Sequence, residues 1–218
     1  MEATVIIKEP IEVFNELHAL GLEEDDLREA LLEADRVRSW LTPHHPSYYA
    51  GMLPQAETVK ALSDRMTTKG WKRIDILNSP RLVSPDGRIS IAVNSGDGGT
   101  GWADANPRTR SSKGPSTLND VERNANQLCL PMLIPVSLSP RVVAARTSDR
   151  ETWFHLFNFR AEEVRHELSL PVMCDEDGHP CAWRTRIIFP PIPLVPDSSS
   201  KRRDDGDDFD VPVVRKPM

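Results

Sequence analysis

The sequence predicts an α+β fold: N-terminal helices packed on one face of a largely antiparallel sheet, in a single domain followed by a polar C-terminal tail. Three observations carry this expectation. Apolar residues recur at helical spacing up to Gly70, alternate along short segments from Trp71 onward, and thin out after Pro196. The expected division is a helical part over 10–70, a mainly β part over 71–196 and an acidic tail over 197–218, with no internal repeat and no second core.

The first helix follows Pro10, which suits a first helical turn; Val13, Phe14, Leu17 and Leu20 supply its apolar positions and Gly21 its end. Glu23, Glu24, Asp25 and Asp26 open a second helix whose apolar face is Leu27, Leu31, Ala34, Val37 and Leu41. Arg36 and Arg38 lie near its end, so both charge clusters complement the helix dipole. Two prolines and a glycine make Thr42 to Met52 a connection, with His44, His45, Tyr48 and Tyr49 on a surface loop, and a third helix is expected from Pro54 to Lys69 before Gly70. Residues 73–77 and 88–94 read as a hairpin around Pro85-Asp86-Gly87. Asn94 to Ser116 is too long and polar for an ordinary connection, and a short helix follows over 117–128. Residues 152–159 carry large side chains on both faces and should be a central strand. Residues 164–173 and 180–189 should pair as a hairpin, with Trp183 buried against the strand containing Trp153 and with Arg165, Glu167, Arg184 and Arg186 turned to water or a partner. PPIPLVP at 190–196 reads as polyproline.

Composition bounds the function. Among 218 residues, 27 Lys and Arg face 33 Asp and Glu, a net charge of −6 that argues against a general polyanion binder but leaves room for a local basic patch. No apolar run is long enough for a membrane span and no secretory signal is evident, so no membrane partner is expected. Cys129, Cys174 and Cys181 are too few for a disulfide framework, which fits a cytoplasmic setting.

Gly96, Gly98 and Gly101 match G-x-G-x-x-G, but no helix opens at this loop and the order does not read as βαβ, so a flexible glycine-rich turn is the expectation rather than a dinucleotide site. Kinase and Walker signatures are missing, as are G-x-S-x-G and Asp/Glu-x-Lys, and no cofactor is expected. Arg108, Arg110 and Lys113 lie just upstream of an expected helix start at Ser116 or Thr117. Cations, helical amides and the dipole would converge there, as an anion site requires. Cys174, His179 and Cys181 lack the paired spacing of a zinc site, and packing of two thiols across strands explains them, so no metal is expected. Gln127-Leu128-Cys129-Leu130 resembles the start of the peptide by which bacterial proteins dock on the replication sliding clamp. Pro131 stands where that pattern needs an aromatic residue, so the similarity is read as accidental.

GDGGTG at 96–101, SSKGPSTLNDVERN at 111–124 and AWRTRIIFPPIP at 182–193 resemble an uncharacterised group of bacterial proteins loosely associated with plasmids and mobile elements, over most of 54–193. The resemblance implies a bacterial cytoplasmic setting and no activity. The functional expectation is a non-enzymatic binding or accessory protein whose 96–117 segment faces a phosphate, nucleotide or nucleic acid. The alternatives are an enzyme acting on phosphate esters or nucleotides, and an adaptor that docks a protein partner through its C-terminal tail.

Overall fold

The computed structural model describes residues 3–126 and 150–194. The expectations for the clamp-like peptide at 127–130 and for the tail at 197–218 therefore lie outside the described residues. Element order is β1 (Val5–Ile7), α1 (Pro10–Ala19), α2 (Glu24–Arg38), α3 (Ser47–Thr68), β2 (Lys72–Ile76), β3 (Ser79–Val83), β4 (Ile89–Ser95), α4 (Pro115–Asn126), β5 (Glu151–Phe159), β6 (Glu163–Cys174), β7 (Pro180–Ile188) and β8 (Ile192–Pro193). Among the described residues no helix is long and apolar enough to cross a membrane.

The α+β class holds, but the sheet is mixed rather than largely antiparallel. Its order is β1-β7-β6-β5-β4-β3-β2, with β8 also on β6. β1 runs parallel to β7, and β4 runs parallel to β5. The second parallel pair has a direct cause. Antiparallel neighbours can be joined by a tight turn, whereas β4 reaches β5 by a crossover that carries α4. The chain therefore does contain a βαβ unit, contrary to the expected order.

The N-terminal helices cover one face, as expected. Val13 and Leu17 of α1, Leu27 and Leu31 of α2 and Leu62 and Met66 of α3 join Ile91, Trp153, Phe157, Val164, Leu168 and Ile187 of the sheet in one core cluster. Asp26, 3% exposed, ties the start of α2 to the end of α3 through Lys69 Nζ at 2.6 Å. The opposite face has its own smaller cluster, in which Val121 of α4 packs with Ala92, Phe154, Leu156 and Trp183.

Several boundaries differ from expectation for local reasons. α3 begins at Ser47 and carries Pro54 within it. Proline removes one helical donor, but Leu53, Pro54 and Thr58 are buried, and Gln55 Nε2 donates to Val93 O at 2.9 Å, so docking on the sheet holds the turn together. The aromatic residues Tyr48 and Tyr49 are consequently helical and exposed, and His45 stacks on Tyr49 with ring centroids 5.7 Å apart. The expected two-stranded hairpin is a three-stranded meander, because Leu77 and Asn78 both adopt positive φ (49° and 62°) and turn β2 into β3. In the β6–β7 hairpin, Leu170 pairs with Thr185 but Pro171 pairs with Trp183. The extra residue on β7 reverses its facing: Ile187 and Phe189 stay in the helix-covered cluster while Trp183 joins the other one. Trp183 is 2% exposed and meets Phe154 of β5 edge-on at 6.2 Å, as a residue buried against that strand should.

Candidate anion site at the start of α4

The segment between β4 and α4 is ordered against the sheet, and its stitching explains most of its sequence. Gly96 N donates to Phe157 O, Asp97 N to Arg108 O and Arg110 N to Ser95 O, so the two ends of the loop lie side by side. Trp183 Nε1 donates to Pro107 O at 3.0 Å and Asn106 Nδ2 to Cys181 O at 2.7 Å. Beneath the loop lies a buried ion pair, Arg186 Nη2 to Glu167 Oε2 at 2.6 Å, with side chains 2% and 0% exposed. Arg186 also donates to the carbonyls of Trp102 and Ala105, while Glu167 accepts from Gly101 N at 2.9 Å. Glu167 and Arg186 were expected to face water or a partner; the loop covers them, because a buried charge pair needs its remaining hydrogen bonds met. Arg165 was expected to face water too, but its side chain is only 15% exposed: Nε lies 2.6 Å from Glu163 Oε1 and the guanidinium lies 3.6 Å from the Trp102 ring centre.

The glycines belong to this covering. Gly101 has φ +75°, and a Cβ there would stand 2.9 Å from Arg165 Cβ. Gly99 N bonds its neighbour Asp97 Oδ1, and the amides of Gly96 and Gly101 are committed as described. Although the loop follows β4 inside a βαβ unit, the glycines lie far along the chain from the helix start at Pro115, so they do not form a dinucleotide cradle.

The five sequence-predicted residues separate into two groups. Arg108 is drawn away to the tip of the β6–β7 hairpin, where Nη2 lies 2.8 Å from Asp175 Oδ2. Arg110 is exposed and makes no ion pair among the described residues. Lys113, Ser116 and Thr117 stay together at the beginning of α4. Lys113 is half-buried; its backbone N donates to Gly178 O, and its Nζ lies 3.4 Å from Ser111 Oγ with no carboxylate partner among the described residues. Ser116 is 7% exposed, and its Oγ has no hydrogen-bond partner in the structure. Thr117 Oγ1 accepts from Arg81 Nη2 at 3.4 Å.

Arg81 is the residue that the sequence reading missed. It projects from β3 beneath α4, 3% exposed, and donates to Asp120 Oδ2 through Nε at 3.0 Å and Nη2 at 2.8 Å, and through Nη1 to Ser79 Oγ and Pro80 O. Asp120 also pairs with Arg123 at 3.2 Å. Burial, and secondarily the Arg81 guanidinium, push the Lys113 ammonium down to about 8. Arg150 is likewise lowered by burial and then by Arg123, with Asp120 opposing. Arg81 and Arg123 thus share the carboxylate of Asp120, while Lys113, like Arg150, has no carboxylate within ion-pair distance among the described residues. Recognising SPRLV as a strand would have placed Arg81 on an inward face and flagged it.

The remaining candidates have structural partners. His179 Nδ1 lies 2.8 Å from Thr109 O, and its backbone N bonds Asp175 Oδ1, while Cys174 packs beside the smaller core cluster. Among the described residues no group of three His, Cys, Asp or Glu is arranged to hold a metal. A cavity between α3 and the sheet, lined by Val59, Leu82, Ile91 and Val93, measures about 10 Å³, room for about one water molecule. No family model, curated protein or solved structure matches the chain, so the site is read from its own residues.

Proposed function

We propose that this protein is a binding protein that holds a phosphate-bearing ligand, with nucleic acid as the leading class, at the start of α4. The observation that supports the reading most is Lys113: a half-buried ammonium near Arg81, without a carboxylate among the described residues, three positions before Ser116, whose buried hydroxyl has no partner. The positive end of a helix adds to that charge. The helix start is sparing in amides: Pro115 has no N–H, and the N–H groups of Thr117 and Leu118 both point to Gly114 O. Lys113 and Ser116 therefore carry the contact, which suits one phosphate group of a longer ligand.

Titration of the full chain with short single- and double-stranded DNA and RNA, and with mononucleotides, tests the reading. Binding should weaken with salt at a log–log slope of about −1 to −2, the value for one or two phosphate contacts. Lys113→Met should weaken it roughly tenfold, the loss of one charge-assisted hydrogen bond. The same substitution should leave thermal stability equal or higher, since it removes an uncompensated charge. Unchanged affinity in Lys113→Met would place the ligand elsewhere.

A further inference from the structure

We propose that Cys174 and Cys181, brought together on one face at the tip of the β6–β7 hairpin, form a disulfide when a low-molecular-weight disulfide of the glutathione type is present, bracing the hairpin against the loop that carries Arg108 and Lys113. The strand register makes the juxtaposition. Met173 pairs with Ala182 and Cys174 with Pro180, so β7 spends one extra residue there, and that residue is Cys181. In a bulge two residues on one strand oppose one on the other, which sets Cys181 against Cys174. Cys174 packs with the cluster that contains Trp183, two positions along β7 from Cys181, which places both thiols on the loop-covered face. Cys181 adjoins Pro180, the Cα partner of Cys174, and lies close enough to raise the Cys174 thiol; a disulfide spans Cα atoms about 4.4–6.8 Å apart. Both cysteines are free and only partly buried, so a small oxidant can reach them.

The surroundings assign the roles. Burial raises both thiols, Cys174 to about 11, with Cys181 and Asp175 adding to the effect. Cys181 is raised by burial and Asp175 but has the Arg108 cation beside it, which favours its thiolate. Cys181 is therefore the attacking sulfur. Its thiolate displaces one thiolate from the small disulfide, giving a mixed disulfide; Cys174, deprotonated in turn, attacks Cys181 Sγ and expels the second. The two protein thiols lose two electrons, the small disulfide gains them, and the two protons pass to the two small thiols released. The tip so braced holds Arg108 through Asp175, Lys113 N through Gly178 O and Thr109 through His179.

Full-length protein incubated with oxidised glutathione at mildly alkaline pH and mapped without reduction should give peptides joined through Cys174 and Cys181, with complete loss of both free thiols. Cys174→Ser should trap glutathione on Cys181, and Cys129→Ser should form the same link as the parent. Glutathione held singly on both cysteines, or links through Cys129 in place of this pair, would overturn the proposal.

Discussion

A charge taken partly out of water must find a partner or change its protonation, and two places in this protein resolve the problem differently. Lys113 keeps an ammonium that burial makes easier to lose. Its folded pKa lies below its unfolded one, so between about pH 8 and the ordinary lysine value of 10.5 the unfolded chain binds more protons and stability rises with pH. Below that window the free protein carries the cost, which the proposed anion would relieve. His155 and His166 take the other course. They are 0% and 1% exposed, with Nε2 of the first 3.3 Å from Nδ1 of the second, and His166 stacks on Phe189 at 4.6 Å. Burial holds both well below the usual histidine range, and His155 and then Arg28 add to the effect on His166. Neutral in the fold and protonated when unfolded, they make stability fall as pH drops below about 6.5, by up to about 1.4 kcal/mol per pH unit for each histidine. Urea midpoints measured between neutral pH and pH 5 should show this slope, and His155→Phe should reduce it. A midpoint flat across that range would contradict the buried neutral pair.

Among the elements, the β6–β7 hairpin does two jobs through the register shift between Leu170 and Pro171. The added residue on β7 sends Trp183 to the α4 side, where its indole packs on Phe154 and its N–H holds Pro107 O of the loop. Trp183→Ala should cost on the order of 3 kcal/mol, because it removes a large buried ring and leaves a cavity. It should also loosen the loop, readable as faster amide exchange at Asp97 and Arg110, whose N–H groups bond Arg108 O and Ser95 O. A denaturation midpoint unchanged by the substitution would show that this packing carries no stability. The sequence made the hairpin, β5 and the first two helices legible because their periodicities are long enough to read. It hid β1 and β3, which are short, and the early start of α3, where a proline inside the helix is tolerated only because the sheet lies beneath it. The bulge was illegible for a further reason: one added residue reverses every facing beyond it, and alternation alone cannot show where that occurs.

At the scale of the whole molecule, a mixed sheet is sandwiched between three helices on one side and, on the other, α4 with the long loop after β4. The loop's glycines and two of the hairpin's charges, which read in the sequence as functional or solvent-facing, belong to the structure of that second layer. Lys113, Ser116 and Thr117 stay together at the start of α4 because they are adjacent in the chain, while Arg81 reaches Thr117 from a strand far along the chain. The parallel pair β4 and β5 is what sets α4 across this face, so the site follows from the crossover that local reading overlooked. The central claim is that a phosphate-bearing ligand is held at the start of α4. The most direct test is magnetic resonance of the intact protein during titration with inorganic phosphate and with a short oligonucleotide. The account predicts shifts concentrated at Lys113, Ser116 and Thr117, together with a Lys113 ammonium that titrates near 8 in the free protein and moves upward as the anion binds. Shifts confined to other surfaces, with a Lys113 titration indifferent to the ligand, would contradict it.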